Sequence, residues 1–154
     1  MSYLALQWTL KSIESVAFSA LEYLNEIKTK PLEVIIFKGI AYSKNHSLLY
    51  RYPSNETISI LPTVLIISNS GAFSGCKITD YKVESEDLKF GERMFILCLN
   101  LTTLDLSQCV ATTIEIEMFY KCPKLEFISF PEKTTTIANY FLSNSNIVAL
   151  RLPS

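Results

Sequence analysis

Apolar residues recur along this chain at one long interval. Phe73, Phe95, Phe119 and Phe141 are spaced by 22, 24 and 22 residues. The first three are each followed three positions later by a cysteine, at Cys76, Cys98 and Cys122, and Asn144 stands in that place after Phe141. Each unit then continues with an apolar trio at nearly fixed offsets: Ile78, Tyr81 and Val83; Leu101, Leu104 and Leu106; Leu125, Ile128 and Phe130; Ile147, Leu150 and Leu152. Earlier in the chain, Ala17-Phe18 leads to Leu21, Leu24 and Ile27, and a weaker unit at Ala41-Tyr42 leads to Tyr50, Tyr52 and Pro53. Self-similarity at such an interval is the signature of stacked repeats, in which one unit cannot bury its own apolar edge and neighbours share a continuous core.

Within each trio the last two apolar residues alternate, which is strand spacing and points both to one face. The segment Leu101–Cys109 reads L-x-x-L-x-L-x-x-C, the leucine-rich pattern. The expected fold is therefore an α/β, strand-rich leucine-rich-repeat solenoid of about six turns, each of 22–24 residues, filling residues 1–154. Strands are expected at Leu104–Leu106, Phe127–Phe130 and Ala149–Leu152, side by side in a parallel sheet. The β-branched runs Thr57–Ile60, Val64–Ile67, Thr112–Ile116 and Thr134–Ile137 predict a second short strand per turn. The Phe-x-x-Cys segments predict short helical or 3₁₀ turns. Residues 10–27 fit either a longer helix (Leu10, Ile13, Ala17, Leu21, Leu24) or a further repeat, and the repeat is the preferred reading.

The run Ile114, Phe119, Cys122, Leu125, Ile128, Phe130, Pro131 resembles the BspA-like leucine-rich repeats of bacterial and protozoan surface proteins, trichomonads especially. Residues 39–53 resemble a hairpin module found between such repeats, turning near Lys44-Asn45-His46. The resemblance covers most of residues 10–154. It implies a non-catalytic module for protein–protein interaction or adhesion, and a cell-surface or secreted setting. Repeats of that family carry Gly just before the Ala-Phe turn, and here only Gly71 comes close, so irregular turns are expected.

Composition narrows the chemistry. The chain is 49% hydrophobic with a net charge of −1 and four glycines, which excludes a disordered tail and offers no basic surface for nucleic acid. No apolar run reaches the ~20 residues of a membrane helix, and Met1–Leu10 lacks the basic start of a signal peptide. His46 is the single histidine and no cysteine pair forms C-x-x-C, so neither a metal site nor a cofactor is expected. No motif for a hydrolase nucleophile, a zinc protease or a phosphate loop is present, and no enzyme activity is expected. The cysteines at one repeat position, where Leu21 and Asn144 also stand, read as packing groups rather than redox partners. The regular phenylalanines read as core.

Binding chemistry is expected on the outward strand positions. One column runs Lys28, Arg51, Lys82, Asp105, Ser129, Arg151, and its neighbour runs Glu26, Leu49, Asp80, Thr103, Phe127, Ala149. The candidate site is Lys28, Arg51, Lys82, Asp105, Phe127 and Arg151: a largely basic stripe with Phe127 as an apolar anchor for an acidic protein partner. The alternative is an ordinary solvated face on a structural spacer. Three N-x-[ST] sequons, at Asn45, Asn55 and Asn100, are candidate glycosylation sites in an extracellular setting. Leu4 and Leu6 begin inside a repeat and Leu152-Pro153 closes one, with no polar cap. A fragment of a longer array, or end-to-end contact between chains, is the expectation.

Overall fold

The computed structural model describes residues 3–6, 26–29, 34–37, 40–45, 47–52, 67–68, 70–84 and 86–152. Among them are twelve short strands: β1 Tyr3–Leu6, β2 Glu26–Thr29, β3 Val34–Phe37, β4 Ile40–Ser43, β5 Leu48–Arg51, β6 Ile67–Ser68, β7 Asp80–Lys82, β8 Thr103–Asp105, β9 Thr113–Ile114, β10 Phe127–Ser129, β11 Thr136–Ile137 and β12 Ala149–Arg151. The main sheet has the order β12-β10-β8-β7 and is parallel throughout. Its register places Asp80, Thr103, Phe127 and Ala149 in one row and Lys82, Asp105, Ser129 and Arg151 in another. A second column pairs β9 with β11, also in parallel. This is the expected two-strand turn of a leucine-rich-repeat solenoid. The expected strand at Thr57–Ile60 and the repeat start at Ala17-Phe18 lie outside the described residues, as does all of the 10–27 segment except Glu26 and Ile27, which belong to β2.

Each strand of the main sheet has one apolar residue at its centre: Tyr81, Leu104, Ile128 and Leu150. Leu104 and Ile128 are fully buried at the strand centres, and Leu101, Leu106, Leu125 and Phe130 close the core on either side. The aromatic stripe forms a stack: Tyr52 on Phe73 at 4.9 Å, Phe73 on Phe95 at 4.9 Å and Phe95 on Phe119 at 5.8 Å between ring centroids. Each such pair contributes about 0.5–1.5 kcal/mol beyond its area burial.

The Phe-x-x-Cys segments are tight turns and not helices. Cysteine N–H groups bond to the phenylalanine carbonyl in the first two, from Cys76 to Phe73 (3.1 Å) and from Cys98 to Phe95 (3.3 Å), whereas the N–H of Cys122 donates to the Ser145 hydroxyl (3.3 Å). Alternate N–H groups bond forward to the next turn instead. Gly71, Phe73 and Gly75 donate to Glu92, Met94 and Ile96; Arg93, Phe95 and Leu97 donate to Ile116, Met118 and Tyr120; Glu117, Phe119 and Lys121 donate to Asn139, Phe141 and Ser143. A helix would direct these donors within one turn, so the inter-turn ladder and the helix exclude each other.

The ladder needs a left-handed residue on each side of the aromatic. Gly71 and Gly75 supply both in the first of these turns. Arg93 and Leu97, Glu117 and Lys121, and Tyr140 and Asn144 adopt the same conformation with φ between 50° and 61°. The turns thus keep one geometry where loss of glycine predicted irregularity, and the chain carries the steric cost of Cβ at six positions. Arg93 and Glu117, on successive turns, form an ion pair across the ladder.

The ladder also corrects the frame at both ends of the series. Ser145, not Asn144, holds the cysteine position: its hydroxyl donates to the Phe119 carbonyl (2.6 Å), as Cys98 Sγ does to Phe73 (3.1 Å) and Cys122 Sγ to Phe95 (3.0 Å). Leu142 therefore takes the aromatic place and Phe141 the place of Met94 and Met118, whose carbonyls accept the same ladder bond. An extra residue before this turn is cancelled by a short link from Ser145 to Ile147, so β12 returns to register.

At the other end, Tyr52 is the aromatic of a turn. Its N–H donates to Ala72 (2.7 Å), its ring stacks on Phe73 and its carbonyl accepts from Cys76 Sγ (3.7 Å). The expected hairpin is present, with β4 antiparallel to β5, and β3 extends it on the far side. However, β5 pairs in parallel with β6, which stands three residues before Gly71 as β9 stands three before Glu117. The hairpin joins the second column and not the main sheet. A unit starting at Ala41-Tyr42 is replaced by one centred on Tyr52.

Two outcomes are expected in urea unfolding. Lys121→Gly, at an exposed left-handed position, should stabilise the chain by about 1 kcal/mol, whereas Lys124→Gly on the same surface should not. Cys122→Ala should cost about 1–2 kcal/mol through a lost bond and a small void, and Cys122→Ser should recover part of it, because Ser145 already makes that bond with a hydroxyl.

Candidate binding surface

The outward face of the main sheet is built by strand alternation. Leu104 and Ile128 turn inward, so their neighbours must face out. Asp80, Thr103, Phe127 and Ala149 are exposed, as are Lys82 and Arg151. Asp105 is half-buried and Ser129 is buried. Phe127 stands between Thr103 and Ala149, two small side chains, and leaves 38% of its surface open.

Charge on this face is balanced. Asp80 accepts hydrogen bonds from the Thr103 (2.6 Å) and Thr102 (2.8 Å) hydroxyls, which hold its carboxyl below the usual range. Burial opposes ionisation of Asp105. Bonds from the Ser107 side chain and N–H, with the charges of Lys82 and Arg151, outweigh it and lower that carboxyl too. The face thus carries the carboxylates Asp80 and Asp105 as well as the cations Lys82 and Arg151, in place of a basic stripe.

Of the six expected site residues, Lys82, Asp105, Phe127 and Arg151 meet on this one sheet. Arg51 does not. It is 1% exposed, and its guanidinium donates to the Gly71 carbonyl at 3.3 Å. The cause is the frame: Arg51 immediately precedes the aromatic Tyr52, the place that Ala72, Met94 and Met118 occupy in later turns, and all of these are buried. Leu49, expected in the outward neighbour column, is also fully buried. Lys28 lies in β2, opposite Ala5 of β1, and its side chain lies outside the described residues.

Some features of the face went unread in the sequence. Val148 is 80% exposed and follows Thr79, Thr102 and Glu126 in the row just before the strands, a row that looks polar until its last member. Away from the sheet, a cavity of about 530 Å³ opens between residues 87–90 and 110–115. Glu115 lines it, and burial together with the neighbouring charge of Glu92 raises its carboxyl. Among the candidate sequons, Asn45 is exposed in the hairpin turn with its Oδ1 accepting from Ser43 and Ser47, Asn100 is half-buried with its Oδ1 accepting from Lys124, and Asn55 lies outside the described residues. Among the described residues no group of three His, Cys, Asp or Glu side chains could hold a metal ion, and no helix is long and apolar enough to cross a membrane.

Parallel strands in two columns, a laddered turn and a smooth outward sheet face define a leucine-rich-repeat solenoid. Residues 45–154 match the BspA type leucine rich repeat region in six copies, and the chain belongs to that family. Three solved structures share the fold. The pneumococcal vaccine antigen PcpA matches with a TM-score of 0.77 at 17% identity, over 100% of this chain and 46% of its own. A leucine rich cell surface protein of Faecalibacterium prausnitzii matches at 0.69 and 20% identity, over 99% and 48%. A leucine-rich repeat protein of Eubacterium ventriosum matches at 0.63 and 14% identity, over 96% and 49%. The chain thus spans about half the length of each of these structures. No curated protein sequence matches it.

The two lowered carboxyls fix a pH dependence. A depressed folded value contributes stability above the ordinary carboxylate range that is lost as pH falls through the folded value. Denaturation midpoints should therefore drop between about pH 5 and pH 2, and Asp80→Asn with Asp105→Asn should flatten that drop.

Proposed function

We propose that this chain is a protein-interaction module that works through the outward face of the main sheet, without chemistry of its own. The observation that carries the reading is Phe127, an aromatic ring left open between Thr103 and Ala149 on a sheet face that bears charges of both signs. Aromatic side chains in such positions dominate interface energetics, while the charges around them set orientation and association rate. Because Lys82, Arg151, Asp80 and Asp105 balance one another, the expected partner surface is mixed in charge rather than acidic. Family membership and the surface proteins among the structural neighbours support adhesion at a cell surface as the setting. The second reading is a spacer whose face is merely solvated. It draws on the same balance of charges, which also keeps a sheet soluble.

Retention of chain-coated beads on epithelial monolayers and on immobilised extracellular-matrix proteins separates the two. Adhesion requires that wild-type beads are held and that Phe127→Ala and Arg151→Glu each lower retention about fivefold or more, the effect of losing over 1 kcal/mol at an anchor. Asp87→Lys, at the cavity away from the sheet, serves as the control and should leave retention unchanged. Equal retention of all four chains, or none by any, favours the spacer.

A further inference from the structure

The cavity between residues 87–90 and 110–115 has its cause in the ladder. The Val110 N–H donates to the Glu86 carbonyl (2.8 Å), which in parallel pairing sets Val110 opposite Asp87. The Arg93 N–H donates to the Ile116 carbonyl (3.0 Å), which sets Ile116 opposite Glu92. Four residues lie between Asp87 and Glu92, but five lie between Val110 and Ile116. Neighbouring turns with unequal spans cannot stay paired throughout, and about 530 Å³ opens where they part.

The lining divides by chemistry. Leu88, Phe90 and Ala111 are buried and give it apolar walls. Asp87 begins the mismatched span and Glu115 ends it, with the charge of Glu92 acting on Glu115. Asp87, Glu92 and Glu115 form no ion pair among the described residues, and neither does Lys89, an exposed cation on the same lining. Carboxylates therefore outnumber the cation and stand without a partner at the two ends of an apolar trough.

We propose that this cavity binds a linear aliphatic polyamine. Its ammonium groups meet Asp87 at one end and Glu115 with Glu92 at the other, and its methylene stem lies against Leu88, Phe90 and Ala111. Other ligand classes each fail on one part of the lining. A divalent metal needs several converging ligands, and no group of three His, Cys, Asp or Glu side chains gathers among the described residues. A neutral apolar ligand would strip water from the carboxylates and leave them unpaired. Burial and the Glu92 charge both oppose ionisation of Glu115, and a bound ammonium relieves both. The site lies away from the main sheet and does not rest on the sheet-face reading.

Spermidine titration at neutral pH, followed by backbone amide NMR shifts, tests this. Shifts should concentrate at residues 87–92 and 110–116 and spare the main sheet. Glu115→Gln should raise the Kd about tenfold or more, the loss of a charge-assisted bond, and Asp87→Asn should raise it severalfold. A raised carboxyl means that ionised Glu115 costs stability at neutral pH, so Glu115→Gln should melt no lower than wild type, and its lost binding is not lost folding. An alkane diol of matched length should not bind. Shifts scattered over the surface, displacement of spermidine by equimolar magnesium, binding of the diol, or an unchanged affinity in Glu115→Gln would each overturn the proposal.

Discussion

Everything in this molecule depends on one constraint: the turns cannot satisfy their own backbone. Each tight turn sends three N–H groups to the carbonyls of the following one, and a thiol or hydroxyl reaches back from that turn to the carbonyl of the aromatic. A buried donor without a partner costs about 1–3 kcal/mol. A single turn therefore has no stable existence, and neighbours are fixed in register to within one residue. Aromatic stacking, leucine burial and parallel strand pairing follow from that spacing.

The same constraint explains why the sequence was legible in some places and misleading in others. The apolar trios gave the strands of the main sheet to within a residue, because the 2-residue alternation of Leu104 and Leu106 or of Ile128 and Phe130 has one reading. The turns were harder. Side-chain identity aligns Phe141 with Phe119, but the ladder aligns backbone carbonyls, and by that measure Phe141 matches Met118. Tyr52 reads in the sequence as a late member of the Ala41-Tyr42 unit, because no cysteine stands three residues after it to mark a turn. From that one shift came the error at Arg51, which a column drawn on strand spacing placed in solvent and the turn places in the core.

Glycine was misleading for a related reason. Scarcity of glycine predicted irregular turns, on the view that a left-handed position without glycine would relax to another shape. Relaxation would break three inter-turn bonds, and roughly 1–2 kcal/mol of strain per residue is less than that loss. The geometry is therefore set by the stack, and the residue conforms. Arg93, Leu97, Glu117 and Lys121 hold a conformation that their own preferences disfavour because the turns on both sides require it.

The cysteines are decided by the same logic. Cysteine content invites an inference about redox compartment, and a column of thiols on successive turns invites a cross-link. Each of Cys76, Cys98 and Cys122 instead directs its sulfur to the carbonyl of the preceding turn. Burial pushes the Cys76 thiol up to about 12 and raises that of Cys98 as well. The thiolate is the reactive species, so the Cys76 and Cys98 thiols are chemically quiet. Ser145 makes the same bond without sulfur, which identifies the requirement as a short side-chain donor rather than a thiol. A column of cysteines under that requirement is compatible with an oxidising exterior as readily as with a reducing interior. Where this protein resides is a question for its surface, where Phe127 stands open between Thr103 and Ala149, and not for its core.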